Sequence, residues 1–264
     1  MKRIAILFAV AAPLALYAQG QQKPAAGGPK PEPGVNWEGQ VIKATGAGAP
    51  DMKAQNAAQA RLGAEKTAQL DAFRNLLAQV KGIQVSAGKT VGEVMSEKDE
   101  VKGHVEGLIR GYRVTAKRYF SDSGVEIDVE VPLAGISSAV NPPSPEQHGS
   151  LNTTGEMKNT GLVVDARGLK VAPALAPRIL GADGKAVYSA DSMSEEARKA
   201  KGVASYFKDL AAAQKSALVG EKPLVLKAAR GEGSDLYLAA DDLKKLTDSN
   251  NSYLAEGRVA IVTN

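Results

Sequence analysis

Asp165 and Arg167 stand two residues apart, directly behind the short apolar run Leu162-Val163-Val164. A carboxylate and a guanidinium at the end of a buried strand can orient a polar ligand, one by accepting hydrogen bonds and the other by its rigid fork of donors. The same two groups can equally hold the strand's end to a neighbouring loop. Other polar groups offer less. His104 lies in the polar stretch Lys102-Gly103-His104-Val105-Glu106 and His148 in a proline-rich one, so neither is placed as the rigid base of a triad, and both read as surface histidines. No G-x-S-x-G elbow is present, nor an S-x-x-K with its companions. Gly88-Lys89-Thr90 echoes the end of a phosphate loop, but Ile83 occupies the place of the glycine five residues upstream.

The carboxylate groups read as structural. Asp241-Asp242 at a helix start suits capping and complements the helix dipole. Glu126, Asp128 and Glu130 share one strand face and would hold calcium only with further oxygens from loops, which the sequence does not offer. With two histidines and no cysteine, a His/Cys zinc site is excluded. The expectation is therefore a protein with no catalytic residues, no metal site and no cofactor. Asp165 and Arg167 are its candidate ligand-binding residues. Trp37, the one tryptophan, plugs the end of a core or serves as a partner-binding anchor.

The elements that would position these residues follow from pattern. Residues 37–46 read as a strand. Residues 51–81 read as a long helix, rich in alanine, with Leu70, Phe73, Leu77 and Val80 on one face and Gly82 as a left-handed terminator. The alanine face permits close approach to a sheet. Ile83 and Val85 alternate with Gln84 and Ser86 as a second strand; 90–102 is polar and ambiguous. Residues 109–120 and 125–133 form a hairpin turned by Ser121-Asp122-Ser123-Gly124, with Arg113 and Lys117 on one face to pair with the acids of the other arm. After a proline-rich break at 141–154, 162–164, 224–226 and 259–262 read as short buried strands, and 178–180 and 186–188 as a hairpin around Asp183-Gly184. Ser194 caps one helix, a second helical pattern runs through Tyr206, Phe207, Leu210 and Ala213, and 241–247 forms a third.

Composition sets the compartment and class. Lys2 and Arg3, an apolar run over 4–16 and Leu16-Tyr17-Ala18 make a secretory leader, so the mature chain is expected to start near Gln19. The run is too short to span a bilayer. Residues 19–34 (QGQQKPAAGGPKPEPG) read as a disordered tether. The net charge of +4 is well mixed and lacks a basic stripe with aromatics, so nucleic acid is not an expected partner. Apolar content is 44% but much of it is alanine, and aromatic content is 5%, which favours thin two-layer cores. The expected fold is α+β: two small α/β two-layer domains, at 35–140 and 155–264, the first with one long helix packed on an antiparallel-rich sheet.

Ala68-Gln69-Leu70-Asp71-Ala72-Phe73-Arg74-Asn75-Leu76, followed by Val80, Gly82 and Val85, resembles the helix and strand of the twenty-kilodalton outer-membrane lipoprotein family and the related N-terminal domain of flagellar assembly protein T. Gly111-Tyr112-Arg113-Val114 with the strand at 125–131 is similar to that family's hairpin. Residues 160–169, 173–180, 187–188, 223–228 and 257–262 resemble the C-terminal extension of its envelope members. The resemblance implies an exported, non-enzymatic, periplasmic protein, peripherally associated with the outer membrane, whose partners are envelope or flagellar proteins. The chain has no lipobox cysteine, so association with a partner would replace acyl anchoring. The other class compatible with the residues is a small-ligand or peptidoglycan-binding module.

Overall fold

The computed structural model describes residues 33–86, 88–141 and 151–264. The leader, the tether up to residue 32 and most of the proline-rich break, with His148, lie outside the described residues. The fold is α+β.

Its N-terminal part opens with β1 (Gly34–Asn36), a turn through Trp37, and β2 (Val41–Gly48). The strand expected at 37–46 is thus displaced, because residues 37–40 form the turn between two antiparallel strands. Helix α1 (Ala57–Gly82) starts at Asn56, whose side-chain oxygen accepts from the Gln59 amide at 2.9 Å. It is followed by β3 (Gln84–Ser86), β4 (Lys89–Thr90), α2 (Val91–Glu97) and α3 (Asp99–Arg110), so the ambiguous polar stretch is helical. The hairpin β5 (Arg113–Tyr119) and β6 (Val125–Pro132) leads into α4 (Leu133–Val140). Strand order is β1-β2-β6-β5, antiparallel throughout.

Helix α1 lies over β2 and β6, but not on the face the large side chains suggested. Ala60, Ala64, Ala68, Ala72, Leu76 and Val80 are buried, a ridge at a strict spacing of four. Phe73 and Leu77 are half-buried on its flank and Leu70 is 60% exposed. The reason is on the strand. A Cβ at Gly46 would lie 2.7 Å from the Ala72 Cα, and one at Gly48 would lie 2.8 Å from the Ala68 nitrogen. Helix backbone occupies the space of those side chains, so only methyl groups fit between. Gly82 is the last helical residue rather than a left-handed terminator; Ile83 follows in extended conformation and its amide closes on the Val80 carbonyl.

The hairpin carries a second correction. Between Val114 and Ala116 the register slips by one residue, a β-bulge. A slip of one reverses the facing of everything beyond it. Arg113 therefore pairs with Glu130 on the outer face, while Lys117 turns to the helix side and meets Glu65 of α1. Arg118 takes the place expected of Lys117, bridging Glu126 and the buried Asp128, which also accepts from the Thr45 hydroxyl at 2.8 Å.

The C-terminal part contains β7 (Gly161–Asp165), β8 (Ile179–Leu180), β9 (Ala186–Tyr188), α5 (Glu195–Lys201), β10 (Ser205–Phe207), α6 (Leu210–Lys215), β11 (Pro223–Glu232), β12 (Asp235–Leu238), α7 (Ala240–Thr247) and β13 (Val259–Val262). The sheet runs β10-β13-β7-β11-β12-β8-β9, parallel from β10 to β11 and mixed beyond. β7 sits inside the parallel portion. Leu162 and Val164 enter the core on one face and Val163 that on the other, which accounts for an unbroken apolar run. Tyr206 and Phe207, expected in a helix, form β10; the helix begins only at Leu210, capped by Asp209. Asp241 and Asp242 lie in the first turn of α7 without a capping hydrogen bond, and Asp242 pairs with Lys245 at 2.6 Å.

The described residues form one compact unit. Leu175 belongs to the core of the N-terminal part: its amide donates to the Gln84 carbonyl at 2.9 Å, the next amide donates to Val85 at 2.8 Å, and its carbonyl accepts from Ser137 Oγ at 3.0 Å.

Gly46→Ala and Gly48→Ala are each expected to lower stability by about 1–3 kcal/mol or more, because the helix must lift from the strand. Gly103→Ala in α3, where an added Cβ meets nothing within 4 Å, is expected to raise it by about 0.5–1 kcal/mol. Urea unfolding of the three variants gives the comparison.

Candidate functional site

Trp37 sits where the two sheets meet. Its ring stands edge-on to Tyr206 at 5.4 Å between centroids and 72° between planes. Its carbonyl accepts from Gln40 Nε2 at 2.7 Å and from the Tyr206 amide at 3.4 Å, and the same Gln40 amide reaches the Ala204 carbonyl at 3.3 Å. This junction ties the turn after β1 to β10. Tyr206 is fixed from behind: its hydroxyl accepts from the Ala174 amide at 3.1 Å and burial pushes its pKa well up.

From the junction β1 and β10, each the terminal strand of its sheet, diverge around a cleft of about 590 Å³. Trp37 and Tyr206 give it an aromatic wall. Lys43 and Lys208 supply ammonium groups, Glu38 and Asp209 carboxylates, and Asn264 an amide. The volume lies within the ordinary range for ligand sites. Donors and acceptors of both signs beside an aromatic wall suit a polar, zwitterionic or peptide-like guest.

Asp165 and Arg167 do not line this cleft. Arg167 Nε donates to Asp165 Oδ1 at 2.9 Å and Nη2 to Oδ2 at 2.8 Å, while the Arg167 amide donates to Oδ1 at 3.1 Å. The fork closes on the neighbouring carboxylate. Hydrogen bonding from the Arg167 side chain holds the Asp165 carboxyl below the usual value, and the same pairing raises the guanidinium. The pair stands at the cleft's rim. The Gly168 amide donates to Asn264 Oδ1 at 3.1 Å, and Asp209 acts electrostatically on Arg167.

The other polar candidates are placed in structural roles. Thr90 and Glu93 form a reciprocal capping box on α2, the Thr90 amide donating to Glu93 Oε2 at 2.6 Å, and Lys89 pairs with Glu97. His104 is exposed on α3, in a shallow groove otherwise lined by glycines, Leu108, Val131 and Pro132. Among the described residues no group of three or more His, Asp or Glu side chains is placed to hold a metal ion. No helix among them is long and apolar enough to cross a membrane.

Of the candidate site residues expected from sequence, only Trp37 enters the cleft. Lys43, Lys208 and Asp209 escaped sequence reasoning and Tyr206 entered it only as part of a helical pattern, because strands far apart in the chain bring them together and no spacing records that. The one readable signal was the Asp209 cap, which separates β10 from α6: its side chain accepts from the Ala212 amide at 2.8 Å.

A family model for the second domain of Treponema pallidum Tp0624 matches residues 161–264. The C-terminal part is thus similar to that domain, and the matched stretch supplies β10 and Asp209, one wall of the cleft, but neither Trp37 nor Lys43. No curated protein matches the chain.

The Asp165 carboxyl, followed by NMR, is expected to titrate below the ordinary 3.8 and to return towards it in Arg167→Ala. A depressed native pKa contributes stability that is present above that ordinary value and lost as pH falls through the native one. An undisplaced carboxyl in the parent protein would mean that the fork does not hold in solution.

Proposed function

We propose that the chain is an exported cell-envelope protein that works by holding a protein partner rather than by catalysis, in outer-membrane or flagellar assembly. The cleft at the sheet junction carries this reading. It offers an aromatic anchor, two ammonium groups and two carboxylates, arranged between the terminal strands of two sheets. Those are groups that recognise a guest by charge and by an aromatic face. The leader pattern at 1–18 and the resemblance of the N-terminal part to envelope lipoproteins support the compartment. A partner segment with a side chain against Trp37 and charged neighbours would satisfy both signs of charge, with the rigid aromatic pair as its centre.

A second reading rests on the cleft's size. A volume of about 590 Å³ also accommodates a small polar ligand or a peptidoglycan fragment against Trp37.

The experiment is site-specific photo-crosslinking in intact cells, with the reactive residue at Glu38 and a control at the exposed Lys185. The assembly reading expects a discrete protein adduct at Glu38, absent at Lys185 and lost with Trp37→Ala. Stabilisation of the purified protein by muropeptides, abolished by Trp37→Ala and without a protein adduct, would replace it with the ligand reading.

A further inference from the structure

The sheet of the N-terminal part is covered unevenly. Four strands about 4.8 Å apart span roughly 19 Å, whereas a helix with its side chains is about 10 Å across. Helix α1 takes the seat over β2 and β6. Beyond it, the helix-side face of β5 carries Val114 and Tyr119, 38% and 50% exposed. The outward ridge of α1 adds Leu62 and Leu70, two turns apart and 57% and 60% exposed. Beside Leu70 lies an apolar groove of about 630 Å³, walled by Lys66, Gln69, Leu70 and Phe73 of α1 and by Arg110 and Tyr112. Leu62, Leu70, Val114 and Tyr119, half of the large hydrophobic side chains that stand exposed among the described residues, thus lie on α1 or on the helix-side face of β5, and Leu70 lines the groove itself.

The step from α1 to β5 is cationic. Arg61 lies over the Tyr119 ring at 5.7 Å and Arg110 over Phe73 at 5.9 Å. Lys66 stands between Leu62 and Leu70 on the ridge, and Lys117 rises from β5. The nearby carboxylates, Glu65 and Glu106, are already paired with Lys117 and Arg110. Arg61 and Lys66 have no ion-pair partner among the described residues.

We propose that this step seats one amphipathic helix of a partner protein, laid alongside α1 over β5, with leucine-type residues on its buried face and carboxylates on its flanks. The guest completes the second layer of the sandwich. Its apolar face covers Val114, Tyr119, Leu70 and Phe73, and its acids meet Arg61, Lys66 and Arg110. A second copy of this chain would bring the same cations to the same place, so like charge disfavours self-association there. The surface is separate from the cleft at Trp37 and stands or falls independently of it.

The test uses the full exported chain and two fluorescein-labelled 18-residue peptides with one leucine stripe, flanked by glutamates in one and by lysines in the other. The glutamate peptide is expected to bind, to gain helical circular dichroism on binding, and to weaken as salt rises. Leu70→Asp and Lys66→Glu are each expected to weaken it at least tenfold. Val225→Asp, an exposed apolar site on the other sheet, is expected to leave it unchanged, as is Trp37→Ala. Because Leu70 and Lys66 are exposed, both variants should keep the parent circular dichroism spectrum. Equal binding of both peptides, no binding of the glutamate peptide at 100-micromolar protein, binding without helix gain, or a dimer of the chain that Leu70→Asp dissociates would each overturn the proposal.

Discussion

Helix α1 rests on β2 at a distance that only hydrogen atoms allow at residues 46 and 48. That approach governs much of the N-terminal part. It selects the alanine ridge as the buried face over residues 60–72, which Leu76 and Val80 continue, and leaves Leu62, Leu70, Phe73 and Leu77 to the flank and outward side. Alanine buries little apolar area, at about 0.8 kcal/mol per methyl-sized group, so the layer draws its cohesion from the density of close contacts. It also fixes the helix over β2 and β6, which is why β5 stands beyond the edge of its cover.

The outer face of the same sheet is organised by charge instead. Asp128 is almost wholly inaccessible and still carries a carboxylate, because Arg118 forks onto it, with Nη2 at 2.7 Å from Oδ1, and Thr45 donates to it. Burying such a group is tolerable only with this degree of satisfaction. Hydrogen bonding to Asp128 raises the Arg118 pKa further, so the guanidinium stays charged across any ordinary pH. A run of three acids that resembles a cation site in one dimension is, in three, a ladder of acids each met by arginine.

Local patterns in the sequence were legible where a single element decides the outcome. The hairpin expected at 109–120 and 125–133 forms at 113–119 and 125–132, its first arm shortened because Ile109 and Arg110 end α3; the cap at Ser194, the turn at Asp183-Gly184, the continuous burial of Leu162 to Val164 and the α+β class follow from spacing and turn chemistry. Reading failed where a second element arbitrates. Leu70 looked like core, but the glycines of β2 chose the alanines. Lys117 looked like a partner for the outer acids, but one extra residue at the bulge gave that place to Arg118. Tyr206 and Phe207 fit a helical spacing with Leu210, yet two flanking residues of β13 and a junction to Trp37 make them a strand. The cleft was illegible for the same reason, since its two walls lie some 170 residues apart along the chain and meet only through tertiary packing.

Leu175 has a consequence for how this molecule can be divided. The chain passes from one sheet to the other in the proline-rich stretch, and the segment similar to a separate domain begins at residue 161. Yet Leu175, inside that segment, fills the core of the preceding part and is threaded there by two main-chain hydrogen bonds. A cut at the linker would leave one fragment with a hole and the other with a leucine in water. Heredity and folding therefore draw the border in different places: recombination at the linker exchanges sequence blocks, but each block inherits a socket or a plug that its new neighbour must match.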